Sequence, residues 1–170
     1  QLYFFGDRYS VTGNAQIGFW FFKNDVRPIG GGVFSATHAV GDLLILSNFT
    51  NGGAVSTILV YEWVGSGGSD GSLNLIPLNT NSIYAVVNSV ATPSPWPYIP
   101  KAGPANIFPP GALFEGGLDL ACVPGIDLCF ASFLMESRAS SSVSAQLKDI
   151  VAGSFGVSGN RVSNKTSTEE

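Results

Sequence analysis

The stretch 14-NAQIGFWFF-22 sets Ile17, Phe19, Trp20, Phe21 and Phe22 together between Asn14 and Lys23. Read as a strand, it points Ile17, Phe19 and Phe21 to one face and Gly18, Trp20 and Phe22 to the other, because successive strand side chains alternate. A run of that length suits a strand and is too short for a helix. Both faces carry rings, so the stretch is expected to be a central strand of a sandwich. One face would lie on a second sheet and the other under more of the chain or a partner.

Further along, Leu43 to Phe49 and Val55 to Val64 flank 50-TNGGA-54, a hairpin signal in which Asn and Gly accept positive φ. Alternation places Val55, Leu59, Tyr61 and Trp63 on one side of the second arm, and Ile58, Val60 and Val64 on the other. Ile83 to Asn88, Ala112 to Leu120 and Leu128 to Ser137 also read as strands. Glycine-rich breaks at 30-GGG-32, 65-GSGGSDG-71 and 116-GG-117 separate the strands. Many short strands with glycine turns predict an antiparallel β-sandwich or barrel. One short amphipathic helix is expected near the end: Val143, Leu147, Ile150 and Val151 recur at helical spacing, with serines 140 to 142 as N-caps and Gly153 beyond. Seven prolines between Thr92 and Gly111 predict a long ordered loop or covering strap. The chain reads as one domain over 1–157 with a polar tail or linker over 158–170.

Charged residues make up 12% of the 170 residues, about half of the roughly 25% usual in soluble domains. A net charge of −4 with scattered Lys and Arg leaves no basic stripe, so nucleic acid is not an expected partner. The longest apolar runs fall well short of the roughly 20 residues of a spanning helix, so no membrane span is expected. The chain starts at Gln1 without a methionine and reads as a processed or trimmed piece. Pro124-Gly125 is a turn signal that would bring Cys122 and Cys129 across the neck of a hairpin, and a disulfide there is expected. Two free buried cysteines are the alternative; spacing and the lack of neighbouring histidines speak against zinc.

The phrases 6-GDRY-9, 14-NAQIGFWFF-22, 41-GDLLILSNFTNGGAVSTILVYEWVGSGG-68, 94-SPWPY-98, 108-FPPGALFEGG-117 and 129-CFASFLMESRASSSVSAQLKDIVAGSF-155 together resemble a group of secreted bacterial proteins, largely hypothetical, that carry such a module at the head of long cell-surface chains. The resemblance covers about Gly6 to Phe155. It implies an extracellular, jelly-roll, lectin-like β-sandwich and no known activity. In that group more sequence precedes the part matching Gln1; its absence here would leave a sheet edge open, and open edges invite pairing. Relatives often carry a cysteine in the region of 84-YAVVNS-89, so the resemblance implies that Cys122 has taken over as partner of Cys129.

The remaining motifs carry little chemistry. His38 is the lone histidine, in 35-SATHAV-40, and Ser35 and Asp42 beside it in sequence do not make a triad, so a loop or strand-start histidine is expected. The loop 65-GSGGSDGS-72 lacks a P-loop lysine and reads as a connection. Asp70, or Asp7 with Asn14, are weak calcium candidates without EF-type spacing, and turn capping accounts for them as well. Glu62, Glu115 and Glu136 sit in predicted strands, where a facing pair would suit glycoside hydrolysis; pairing with single charges such as Arg8 or Arg138 is the expectation. Trp96 and Tyr98 on a proline frame offer a ledge for sugar rings. Asn48 and Asn164 match the N-glycosylation pattern.

A non-enzymatic extracellular structural or adhesion module is therefore expected, assembling with copies of itself or with neighbouring surface-protein domains. The alternative is a lectin-like domain that binds glycan, with or without calcium.

Overall fold

Short extended segments separated by glycine and proline can bury their side chains only by pairing, and the computed structural model shows them paired. It describes residues 1–9, 11, 15–50, 54–79, 81–123, 129–138 and 146–155. The strands are β1 (Leu2–Asp7), β2 (Ala15–Phe22), β3 (Pro28–Gly30), β4 (Val33–Phe34), β5 (Leu43–Thr50), β6 (Ala54–Val64) and β7 (Ser72–Leu75), followed by β8 (Ile83–Val87), β9 (Thr92–Pro93), β10 (Ile107–Phe108), β11 (Leu113–Leu118), β12 (Ser132–Arg138) and β13 (Leu147–Ser154). Among the described residues the helical element is a single 3-10 turn, Leu120–Cys122, capped by the Asp119 side chain. The fold is all-β, with a six-stranded sheet in the order β13-β12-β2-β5-β6-β7, a three-stranded sheet β1-β11-β8, and small ladders β3-β4 and β9-β10.

The chain divides into two compact units. The first comprises Gln1–Gln16, Ser47–Ile58 and Leu78–Pro124, and the second Ile17–Leu46, Leu59–Pro77 and Gly125–Glu170.

The second unit shows what hides the rings of 15–22. Every residue from Gln16 to Phe22 is buried. Trp20 and Phe22 stack with their centroids 5.6 Å apart and join Val26, Leu44, Leu46 and Leu134 in one core cluster. Phe34 and Ala36 from the 23–42 segment pack on that cluster, as do Leu59, Tyr61 and Trp63 of β6. The expected cover for this strand face is thus the chain itself. On the other face Phe21 meets Phe130 and Phe155.

The first unit builds its core from the inward side chains of β1 and β11. Phe4 lies 6.0 Å from Phe114, and Phe114 meets Phe49 of β5 edge-on at 5.0 Å. Phe49 thus completes the core of the first unit beneath the three-stranded sheet. The Arg8 guanidinium sits 4.2 Å from the Phe49 ring centroid and donates to Gly111 O at 2.7 Å. Burial there lowers its pKa.

Three expectations need correction. Leu147–Ser154 is a strand and not a helix: it pairs antiparallel with β12, Met135 opposite Val151 and Glu136 opposite Ile150. The β-branched pair Ile150-Val151 suits a pleated surface, and β12 offers an unpaired edge that outweighs the helical spacing; Val143 and serines 140 to 142 lie outside the described residues. The pair 116-GG-117 does not break a strand but sits inside β11. Cys122 and Cys129 are both exposed and are not bonded to one another. The turn drawn between them, 124–128, lies outside the described residues.

Candidate binding face

Register on the three-stranded sheet decides what its outer face carries. Tyr3 and Tyr84 both pair with Gly117, and Phe5 and Val86 both pair with Glu115. These side chains point away from the core in which Phe4 and Phe114 are buried, as period-two alternation requires. Tyr3, Phe5, Tyr84 and Val86 are 48–65% exposed, which is unusual for four large apolar side chains on the two strands that flank β11. Gly117 makes the surface possible. A Cβ there would lie 2.5 Å from the Tyr84 ring, so glycine lets that ring lie down over β11. Gly116 does the same on the inner side, where a Cβ would lie 2.5 Å from Phe4.

A cleft of about 120 Å3 opens here, with Tyr3, Tyr84 and Gly117 in its walls and Gln1, Asn81 and Asp119 contributing polar groups. Aromatic walls with a few polar groups are the ordinary composition of a small-ligand site.

The proline strap adds to this face. Trp96 is exposed and its ring centroid is 5.7 Å from that of Phe5. Tyr98 is turned further in: its ring packs on Phe108 at 5.2 Å and its hydroxyl donates to Asp7 Oδ2 at 3.2 Å. Burial, then the Asp7 charge and that hydrogen bond, raise the Tyr98 pKa. Of the two predicted ledge residues, Trp96 joins the outer face and Tyr98 anchors the strap. Asn106 shapes the turn beneath it with φ 62°, accepting the Tyr98 N–H on its side chain and donating its own N–H to Tyr98 O, both at 2.8 Å.

Compared with protein-family models, curated proteins and solved structures, the chain matches none.

The second unit joins the sequence neighbours His38 and Asp42 and sets them against Trp20 and Trp63, which are distant in sequence. His38 lies in a loop, its ring 4.4 Å from Trp20 and stacked on Trp63 at 4.2 Å. Its Nδ1 is 3.1 Å from Oδ2 of the fully buried Asp42. Asp42 also accepts the N–H groups of Lys23 and Ala39, at 2.8 and 3.0 Å, which fixes the loop that presents the imidazole. Ser35 is not part of this arrangement: its hydroxyl donates to Asp25 O and accepts from Arg27 N–H. Trp63 further donates its indole N–H to Ser66 O in the glycine loop, whose Gly68 N–H donates to His38 O. That loop, read as a bare connection, thus supports His38. Glu136, on the same sheet face as Leu134, is 1% exposed and bonded to Arg138. Burial raises its carboxyl pKa, with the Arg138 guanidinium, the Trp20 indole and His38 pulling the other way.

No facing pair of carboxylates forms from the predicted glutamates. Glu115 lies on the outer face of the first unit. Glu62 is one residue out of phase with Tyr61 and Trp63, which pack on the core, so it points away from Glu136.

Among the described residues no group of three or more His, Cys, Asp and Glu is placed to hold a metal. Asp7 Oδ2 is taken by Tyr98 and by Lys101 N–H, the exposed Asp70 accepts from Ser69 Oγ at 3.4 Å, and Asn14 lies outside the described residues. Asn48 is half-buried and its Oδ1 accepts from Gln16 at 2.7 Å, a poor position for a glycan; Asn164 lies outside the described residues. No helix among the described residues is long and apolar enough to cross a membrane.

Proposed function

We propose that this chain is a non-enzymatic, extracellular recognition module of jelly-roll, lectin-like type that binds glycan on the outer face of β1-β11-β8. The observation that carries this reading is the row Tyr3–Gly117–Tyr84 with its cleft, extended by Phe5 and Trp96. Aromatic rings present large area with few rotors to lose, so they stack on the C–H faces of sugars at small entropic cost. Asn81, Asp119 and the tyrosine hydroxyls would supply the hydrogen bonds that orient a ring. Of the predicted ledge of Trp96 and Tyr98, Trp96 belongs to this surface, and the tyrosine pair Tyr3 and Tyr84 enlarges it. In this reading binding does not require calcium, because the cleft holds a single carboxylate, Asp119, among rings, hydroxyls and amides, too few charged oxygens for a calcium site.

The test is a glycan array and titration with soluble polysaccharides, repeated with Tyr84→Ala, Trp96→Ala and chelator. Binding that falls at least about tenfold in either variant and survives chelation supports the reading. Absence of any glycan binding overturns it.

Self-assembly is the second reading. β1 and β8 are both end strands of their sheet, beside exposed Tyr3, Phe5, Tyr84 and Val86, and an end strand is a template for a further strand. The rings of 15–22 no longer supply a motive for it, since the chain covers them. A concentration-dependent mass by light scattering, abolished by a proline at Phe5, favours assembly; a fixed monomer mass removes it.

A further inference from the structure

The ring-bearing outer face of β1-β11-β8 also carries charge, and of one sign. Glu115 and Asp119 stand two residues to either side of Gly117, so they bracket the Tyr3–Gly117–Tyr84 row. Glu115 is exposed, and its ladder partners are the exposed Phe5 and Val86. Directly opposed side chains on neighbouring strands have their Cβ atoms about 5 Å apart, which sets the carboxylate beside the Phe5 ring. Asp119 lines the cleft next to Tyr3 and Tyr84 and gives one oxygen to the Ala121 N–H at 3.1 Å. No Lys or Arg occurs in the three strands. The pairing with a single positive charge expected for Glu115 does not form: among the described residues none makes an ion pair with it.

This pattern discriminates among glycans. An acidic sugar would meet carboxylates of like charge, and a neutral one gains only stacking and ordinary hydrogen bonds. An ammonium group is attracted twice, by the carboxylate and by the negative faces of the rings around it. A bound metal ion is a poorer fit, because Glu115 and Asp119 lie roughly 13 Å apart along an extended chain and cannot share one ion. We infer that this face selects glycans that carry free amino groups, an ammonium lying beside Glu115 and the Phe5 ring while neighbouring sugar rings stack on Tyr3 and Tyr84. The inference rests on the glycan reading of the same face and names the class of glycan.

The experiment titrates oligomers of glucosamine, N-acetylglucosamine and glucose, matched in length and linkage, into the whole chain at about pH 6, where an amine is charged. The glucosamine oligomer is expected to bind at least about fivefold tighter than the other two, the combined effect of an exposed ion pair and an exposed cation–ring contact. That preference should shrink as salt is raised, because exposed charges are screened. Glu115→Gln, which keeps the shape of the side chain, should weaken the glucosamine oligomer at least about threefold and leave the neutral ones unchanged. Asp70→Asn removes the same charge from an exposed loop of the other unit and should change none of the three. Equal binding of all three oligomers would overturn this inference and leave the glycan reading standing. An equal loss in Glu115→Gln and Asp70→Asn would overturn it as well, since general attraction to an acidic chain would then explain the preference. Failure of every glycan to bind would remove the glycan reading itself, and this inference with it.

Discussion

Tyr3 and Tyr84 stand opposite the same residue, Gly117, from the two strands that flank β11. The residue before it, Gly116, faces the core under Phe4. Two adjacent glycines therefore serve opposite sides of one sheet, and substituting them separates surface from core. Gly117→Ala meets only the exposed Tyr84 ring, which can swing away; its stability should change by less than about 1 kcal/mol while glycan binding drops. Gly116→Ala meets both the buried Phe4 ring and the Tyr84 carbonyl, at 2.5 and 2.7 Å, and neither yields easily. It should cost about 1–3 kcal/mol, as overpacked cores do. Urea unfolding of both variants beside a binding assay checks the contrast.

Asp42 is expected to be among the most sensitive polar residues. Asp42→Ala leaves two backbone N–H groups, those of Lys23 and Ala39, without their acceptor and releases His38. At about 1–3 kcal/mol for each buried group stranded, the loss should reach roughly 3 kcal/mol. Asp42→Asn keeps one acceptor oxygen and should lose less. Denaturant midpoints give the order, and an order reversed between the two variants would count against this account.

Glu136 makes stability depend on pH in a direction unusual for a carboxylate. Its folded pKa is raised above the ordinary 4.5, chiefly by burial, so over that window the folded chain holds more protons than the unfolded one. Stability from this group is complete below the ordinary value and is lost as pH rises through the folded pKa. Relative to Glu136→Gln, the native chain should lose stability on going from about pH 4 to about pH 7. Urea midpoints across that range, taken as the difference between the two proteins, provide the check; a difference that is flat or rises with pH would refute it.

Asn106 should prove local in its effect. Its positive φ and its side-chain acceptor for the Tyr98 N–H are separable, because glycine keeps the first and removes the second. Asn106→Ala loses both and should cost about 1–2 kcal/mol, with Asn106→Gly nearer to the native chain. Hydrogen exchange at Tyr98 and Ser94 should rise in the alanine variant, with little change at Phe114.

Much of the fold was legible from the residues. In β2, ring-bearing side chains on both faces made a doubly covered strand the natural reading, and the proline run from 92 to 111 does fold as a strap, because proline removes ladder donors wherever it stands. β13 was not legible. Its apolar positions fit a helical period over the same residues that β12 captures by edge pairing, and periodicity carries no information about which edges are open. Gly116-Gly117 reads locally as a break, since only the neighbouring strands show that two rings need the space.

Alternation and turn chemistry are local, so the all-β class, the central place of Ala15–Phe22 and the hairpin arms on either side of 50-TNGGA-54 can be read from the residues alone. The sharing of Gly117 by Tyr3 and Tyr84, the reach of Trp96 to Phe5 and the placing of Glu136 and His38 around one pocket come from the folded chain. Those relations join residues dozens of positions apart, and strand register and layer packing set them, not spacing along the chain.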